Sequence, residues 1–253
     1  MTPQQYLEGL LEKYNLTEGQ VANVKAERQY VEDLLRTYFG SAIETVYYSG
    51  SYAKGTAINL SFDLDVCLYF RRDSFANLEE MYEMVLEALR EEGLDANPQT
   101  VSIHVYFGGN DIDVVPARSL GDGTGNANLF VTTQRRPLQT NIPKHKEYMS
   151  KHQARPIIKL MKVWKHRHGI HFKSFALELL VIKALGDSPS GDFGAQLQKA
   201  LEFARDHALD ARLVDPANSN NIVSDLTPVE DKQNLARQAA ASVSKKTWEE
   251  VVW

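Results

Sequence analysis

Asp63 and Asp65 stand two apart in Phe62-Asp-Leu-Asp-Val-Cys-Leu-Tyr-Phe70, a run rich in the residues that favour strands. On a strand, residues i and i+2 share a face. Phe62, Leu64 and Val66 then turn toward a core, and the two carboxylates project together. Like charges that close repel, and each resists ionisation. A divalent cation removes the conflict. Mg²⁺ takes one or two carboxylates together with substrate phosphates and water. A third carboxylate, Asp113, lies in Asp111-Ile-Asp-Val-Val-Pro116. Three carboxylates can hold two metal ions, one activating an attacking hydroxyl and the other stabilising a leaving pyrophosphate. Asp111 shares a face with Asp113 but sits beside a turn. Apolar neighbours anchor Asp113, so Asp113 is the expected third member.

A lone Asp-x-Asp is most simply solvated or paired with lysine. Gly50-Ser51, just upstream at a strand-to-helix turn, changes that reading. Backbone N–H groups and a hydroxyl at such a turn can hold a phosphate. The segment Gly50-Ser-Tyr-Ala-Lys-Gly-Thr56 is not a Walker loop, which ends in Gly-Lys-Ser/Thr. Here the lysine precedes the second glycine, and a P-loop ATPase is disfavoured.

These residues need a sheet to align them. Residues 3–38 read as helix, with the capping-box spacing at Thr17-Glu-Gly-Gln20 and an apolar stripe through Val21, Val24, Val31 and Leu35. Thr45–Tyr48 and Phe62–Phe70 read as strands, and residues 75–92 as an amphipathic helix. Val101–Phe107 and Asp111–Val115 read as a hairpin around Gly108-Gly-Asn110, with Pro116 ending the second strand. Residues 119–128 read as loop. Residues 144–168, 173–186, 191–208 and 227–244 read as helices.

The 253 residues suffice for one large domain or two lobes, and the net charge of −5 does not advertise nucleic-acid binding. Any polyanion needs a local basic patch. Residues 144 to 173 carry nine Lys or Arg against the single acid Glu147. Lys159, Lys162 and Lys165 share one helix side and repel unless an anion lies there. A solvated face accounts for most of these charges, and Lys162 is the one for which phosphate is preferred. Five of the seven histidines fall in the same stretch, but His166-Arg-His168-Gly-Ile-His171 lacks a cysteine and crosses a helix end at Gly169, which disfavours zinc. Cys67 is the one cysteine, so no internal disulfide can form. The first residues do not read as a secretory signal, and no apolar run nears the roughly 18 residues of a membrane helix. A cytoplasmic protein is expected.

Gly-Ser, then Asp-x-Asp on the next strand, then an apolar-flanked Asp before Val-Pro, resembles the DNA polymerase β-like nucleotidyltransferase superfamily. Downstream, Arg155-Pro-Ile-Ile-Lys-Leu-Met-Lys-Val-Trp164, Lys173-Ser-Phe-Ala-Leu-Glu-Leu-Leu180 and Asp215-Pro-Ala-Asn-Ser-Asn-Asn221 are similar to segments of one branch. That branch contains the oligoadenylate synthases, cyclic GMP-AMP synthase and their bacterial anti-phage relatives. The resemblance runs from about residue 45 to about residue 225. It implies an α+β fold, with a mixed-sheet catalytic lobe flanked by helices, a C-terminal helical lobe and an active site in the cleft between them. The expected division is a helical segment 1–40 packing on both lobes, a catalytic lobe 41–125 and a helical nucleotide-binding lobe 126–253. By resemblance, Gly50 and Ser51 bind the donor triphosphate, and Asp63, Asp65 and Asp113 bind Mg²⁺ or Mn²⁺. Lys162 and Ser174 match positions that contact the phosphate tail.

The implied activity joins NTPs, ATP among them, with release of pyrophosphate, into a cyclic or linear oligonucleotide second messenger. No zinc-binding insertion of the animal cyclic GMP-AMP synthase type is visible. The Lys-Gly-Thr56 ending and Pro143-Lys-His-Lys-Glu-Tyr148 also resemble archaeal-type tRNA CCA-adding enzymes, making an RNA 3′ end the alternative acceptor. A nucleotide-binding module with dead chemistry is the third reading, and the intact triad argues against it.

Overall fold

The computed structural model describes residues 1–60 and 64–253, so Asp63 lies outside the described residues. The chain forms two compact units that interleave along the sequence. One is built from Thr17–Lys54 and Phe62–Lys146, the other from Met1–Leu16, Gly55–Ser61 and Glu147–Trp253.

The first unit is a seven-stranded mixed sheet. Its strands are β1 (Ile43–Ser49), β2 (Leu64–Phe70), β3 (Asp95–Pro98), β4 (Ile103–Phe107), β5 (Asn110–Ser119), β6 (Ala127–Val131) and β7 (Arg136–Thr140), and β1-β2-β5-β4-β3 is the main path. β2 and β5 are parallel, and the other pairs are antiparallel. Strand alternation divides the side chains between two faces. Val66, Leu68, Phe70, Ile112 and Val114 join a core that includes Val24, Val31 and Leu35 of α2 (Glu18–Phe39), as well as Met81, Val85 and Leu89. The last three belong to α4 (Leu78–Glu91), the helix expected over 75–92. Cys67, Tyr69 and Ala117 lie on the other face with Leu129 and Ile142.

Several elements differ from the sequence expectation. The single helix over 3–38 is two helices, α1 (Pro3–Tyr14) in the second unit and α2 in the first. The Thr17–Gln20 capping box forms as read, but it starts a helix, and so breaks the one before it. Pro116 does not end β5, which runs on to Ser119. β4 pairs with β5 only as far as Val114 and β6 takes over at Ala117, so the proline sits between the two registers, where no N–H is required on that side. Residues 127–140 form the β6–β7 hairpin, which continues the sheet beyond the expected lobe boundary at residue 125.

The second unit is helical. α6 (Arg155–Arg167), α7 (Ser174–Leu185), α8 (Phe193–His207) and α9 (Val229–Val243) share a core with α1 through Leu7, Leu10, Ile157, Trp164, Leu177, Leu201 and Leu235. Pro156 at the start of α6 separates it from α5 (Ile142–Lys151), dividing the expected 144–168 helix. α7 is buried on almost every side, as its run Phe175–Ile182, apolar except for Glu178, anticipates. β8 (Val214–Asp215) and β9 (Asn218–Ile222) form a small hairpin, with Asp215 accepting hydrogen bonds from the Ala217 N–H at 2.8 Å and the Asn221 amide at 3.0 Å. The C-terminal residues pack back on α1: Tyr6 donates to the Val252 carbonyl and Tyr14 to that of Trp253. No helix among the described residues is long and apolar enough to cross a membrane.

Candidate active site

The carboxylates are set by register. Asp65 on β2 pairs with Asp113 on the parallel strand β5 and with Ser49 on β1. Asp113 in turn pairs with His104 on β4, and His104 with Asn97 on β3. One polar row, Ser49-Asp65-Asp113-His104-Asn97, therefore crosses five strands. Neighbouring strands lie about 4.8 Å apart, so Asp65 and Asp113 are adjacent carboxylates on one face. The residues flanking each, Val66, Ile112 and Val114, are fully buried on the opposite face and anchor the row. Burial, and then the Asp65 charge, push the Cys67 thiol above its usual value, which leaves it a protonated core residue.

Gly50 shows why the turn after β1 needs glycine. β1 runs directly into α3 (Gly50–Lys54), and Gly50 takes φ +69°. A Cβ there would fall inside the Asp65 carboxylate, 2.6 Å from Cγ. The Gly-Ser turn and the second aspartate are thus in van der Waals contact, and Ser51 follows in the same helical turn.

His104 is a member that sequence reasoning missed. Its Nδ1 lies 3.4 Å from Asp113 Oδ1 and its Nε2 lies 3.2 Å from Asp111 Oδ1. One imidazole thus spans both acidic residues of β5 and orients Asp113 from the side away from Asp65. A two-residue turn at Gly108-Gly109 dictates this pairing. It sets Phe107 opposite Asn110 and, counting back, His104 opposite Asp113. The Asp111 side chain is 52% exposed against 29% for Asp113, in keeping with its place beside the turn.

Among the described residues no cluster of three or more metal-ligating side chains is assembled. Asp65 and Asp113 are two of the three expected ligands, and Asp63 lies outside the described residues. The donor set still fits a hard divalent cation. It consists of paired carboxylates beside a backbone turn, and Mg²⁺ typically takes one or two carboxylates and completes its shell with phosphate and water.

In the helical unit, Lys162 and Ser174 are not brought together. Lys162 is buried, and its ammonium donates to Glu178 Oε1 at 2.6 Å and to the Thr56 carbonyl and hydroxyl, both at 3.1 Å. Thr56 donates to the same Glu178 oxygen at 2.6 Å. Ser174, exposed in the first turn of α7, has Lys165 beside it instead: Lys165 Nζ lies 2.9 Å from the Phe172 carbonyl and 3.4 Å from Ser174 Oγ. Burial, and then the Lys162 charge, lower the Lys165 pKa, so an anion there would be welcome. His168 is structural. Its Nε2 is 2.8 Å from the Val251 carbonyl, its Nδ1 is 3.0 Å from the Gln238 amide, and its ring packs against Trp164 and Trp253.

Known proteins carry the same arrangement of elements. The chain is 26% identical over 258 residues to a cyclic AMP-AMP-AMP synthase of Escherichia coli strain MS 115-1, covering 90% of this chain and 80% of that protein. The solved structure of E. coli MS115-1 CdnC with ATP superposes with a TM-score of 0.75 at 22% identity, over 96% of this chain and 90% of that one. The Bradyrhizobium diazoefficiens CD-NTase CdnG in complex with GTP gives a TM-score of 0.76 at 14% identity, over 94% and 91%. These two structures carry the fold. The model of the Second Messenger Oligonucleotide or Dinucleotide Synthetase domain (SMODS) matches residues 1–152, more than half of the chain. On that match, the chain belongs to the SMODS family and is a nucleotidyltransferase.

Proposed function

We infer that the protein condenses NTPs, ATP among them, into a cyclic oligonucleotide second messenger, releasing pyrophosphate, as a cytoplasmic enzyme of anti-phage defence. The observation that carries this is the register of Asp65 with Asp113 against the Gly50 turn. Enzymes of this family are metal-dependent. Asp63, Asp65 and Asp113 would hold Mg²⁺ or Mn²⁺, which when bound supplies charge neutralisation for the phosphates and acidifies the attacking hydroxyl.

The protein's own groups do the positioning. Gly50 admits the donor triphosphate close to the backbone, and Ser51 offers its hydroxyl to the same phosphates. His104 fixes the Asp113 carboxylate, as outer-shell partners of metal ligands commonly do. The family resemblance assigns the phosphate tail to Lys162 and Ser174. The geometry favours Ser174 together with Lys165, because the three N–H donors of Lys162 already meet three acceptors. Lys162 then serves the tail indirectly, by fixing Glu178 and Thr56.

The test is product analysis. Incubation with α-labelled ATP and Mg²⁺, followed by phosphatase, is expected to leave a resistant, cyclic labelled product. Extension of a tRNA lacking its 3′ end, with no oligonucleotide formed from NTPs alone, would transfer the acceptor to RNA and overturn the reading.

A further inference from the structure

The sheet unit holds an arginine-lined concavity with no part in the carboxylate row. On β5, Ile112 and Val114 face the core, and alternation carries that face on to Arg118. Arg118 pairs in register with Phe70 on one side and Asn128 on the other. It is partly buried at the rim of an apolar core, a costly place for a guanidinium without a counter-anion. Among the described residues neither Arg118 nor Arg72 has a hydrogen bond or ion pair with another side chain. Of the nearby acids, Glu79 is paired with Arg135 at 2.6 Å, and Asp122 accepts from the Thr124 hydroxyl at 2.5 Å and forms an ion pair with neither arginine.

Two cavities meet at Arg118 and Asn128, one of about 470 Å³ and one of about 360 Å³. Their linings differ in character. The larger presents Arg72, Arg118 and Ser119, with the Asp122 carboxylate also in its lining, so two guanidinium groups face one acid there. The smaller has an apolar floor of Leu78, Phe130 and Pro137. Together they offer cationic donors suited to a phosphate beside a surface suited to a planar ring, within the size range of ligand pockets. Arg118 lies five residues from Asp113, roughly 16 Å along the strand, and on the opposite face of the sheet. We propose that this groove binds a nucleoside 5′-monophosphate unit, phosphate on Arg72 and Arg118 and base on the Leu78–Phe130–Pro137 floor, at a site separate from catalysis.

Binding by guanidinium groups needs no metal, which makes the site separable from the catalytic one. Calorimetric titration of the full chain with AMP in EDTA is expected to show saturable binding that weakens with added salt. Arg118→Glu should weaken it by about tenfold or more, the size of a lost charge-assisted hydrogen bond. Asp65→Asn with Asp113→Asn should leave it unchanged. Arg118→Gln, with its thermal melting compared to wild type, guards against loss of fold and should weaken AMP in the same direction. Inorganic phosphate and adenosine should each bind more weakly than AMP. Absence of AMP binding, binding insensitive to Arg118 substitution, or phosphate binding as tightly as AMP would overturn the proposal. Loss of AMP binding in the aspartate variant would assign the signal to the catalytic site and overturn it too.

Discussion

Gly50→Ala is expected to cost at least about a hundredfold in kcat/KM, because even a misplacement of about 1 Å at a reacting centre has that effect. Two causes act together. The φ of +69° is open to glycine but strained for alanine, by about 1–2 kcal/mol. The added methyl would also occupy the place of the Asp65 carboxylate, 2.6 Å from its Cγ. One of the two must move, and either movement separates the Gly50-Ser51 turn from Asp65, the proposed phosphate and metal sites. Steady-state pyrophosphate release, with circular dichroism as a check on folding, measures this. A fully active Gly50→Ala would mean that the turn and Asp65 do not act as a unit. Ala53→Gly in the same short helix is the control and should retain most activity.

The second large effect concerns stability. Lys162→Met or Glu178→Leu should each destabilise the protein by about 3–5 kcal/mol, the usual cost of leaving one member of a buried ion pair alone. The pair is nearly inaccessible, with side chains 6% and 0% exposed. The double replacement should cost much less than the two singles combined, because no charge is then left unpaired. At about 2–4 °C per kcal/mol for a chain of this size, each single variant should melt roughly 6–20 °C lower. Thermal melting of the three variants tests it. If Lys162→Met melts like wild type and instead raises KM for ATP, Lys162 contacts the nucleotide directly and the assignment to Lys165 fails.

The ion pair also marks where the sequence stops being legible. Lys162 was readable as a cation on a helix, but Glu178 lies 16 positions away and Thr56 lies 106 away. Nothing local announces that two residues so far away will saturate one ammonium. The carboxylate row was far more legible, since alternation fixes which residues of a strand share a face. His104 was legible in principle from the two-glycine turn and was missed because it was read as one more strand residue. Pro116 misled for a physical reason. Its missing N–H breaks a strand only where a neighbour needs that donor, and the change of partner from β4 to β6 depends on pairing invisible to local pattern. The break between α1 and α2 was written in the Thr17 cap, but continuous apolar periodicity outweighed it. Arg118 sits on the core face of β5, and no sequence signal announces that none of the described acidic side chains pairs with it.

The most direct test of the carboxylate site is pyrophosphate release from ATP and Mg²⁺ by wild type and by Asp65→Asn with Asp113→Asn. Asparagine keeps the shape and the strand pairing while removing both charges. Wild type should turn over. The variant should lose activity by at least about a thousandfold, beyond the loss typical of a single electrostatic group, with its melting temperature maintained. Undiminished pyrophosphate release from a folded variant would contradict the account, because the chemistry would then lie elsewhere than on paired β2 and β5.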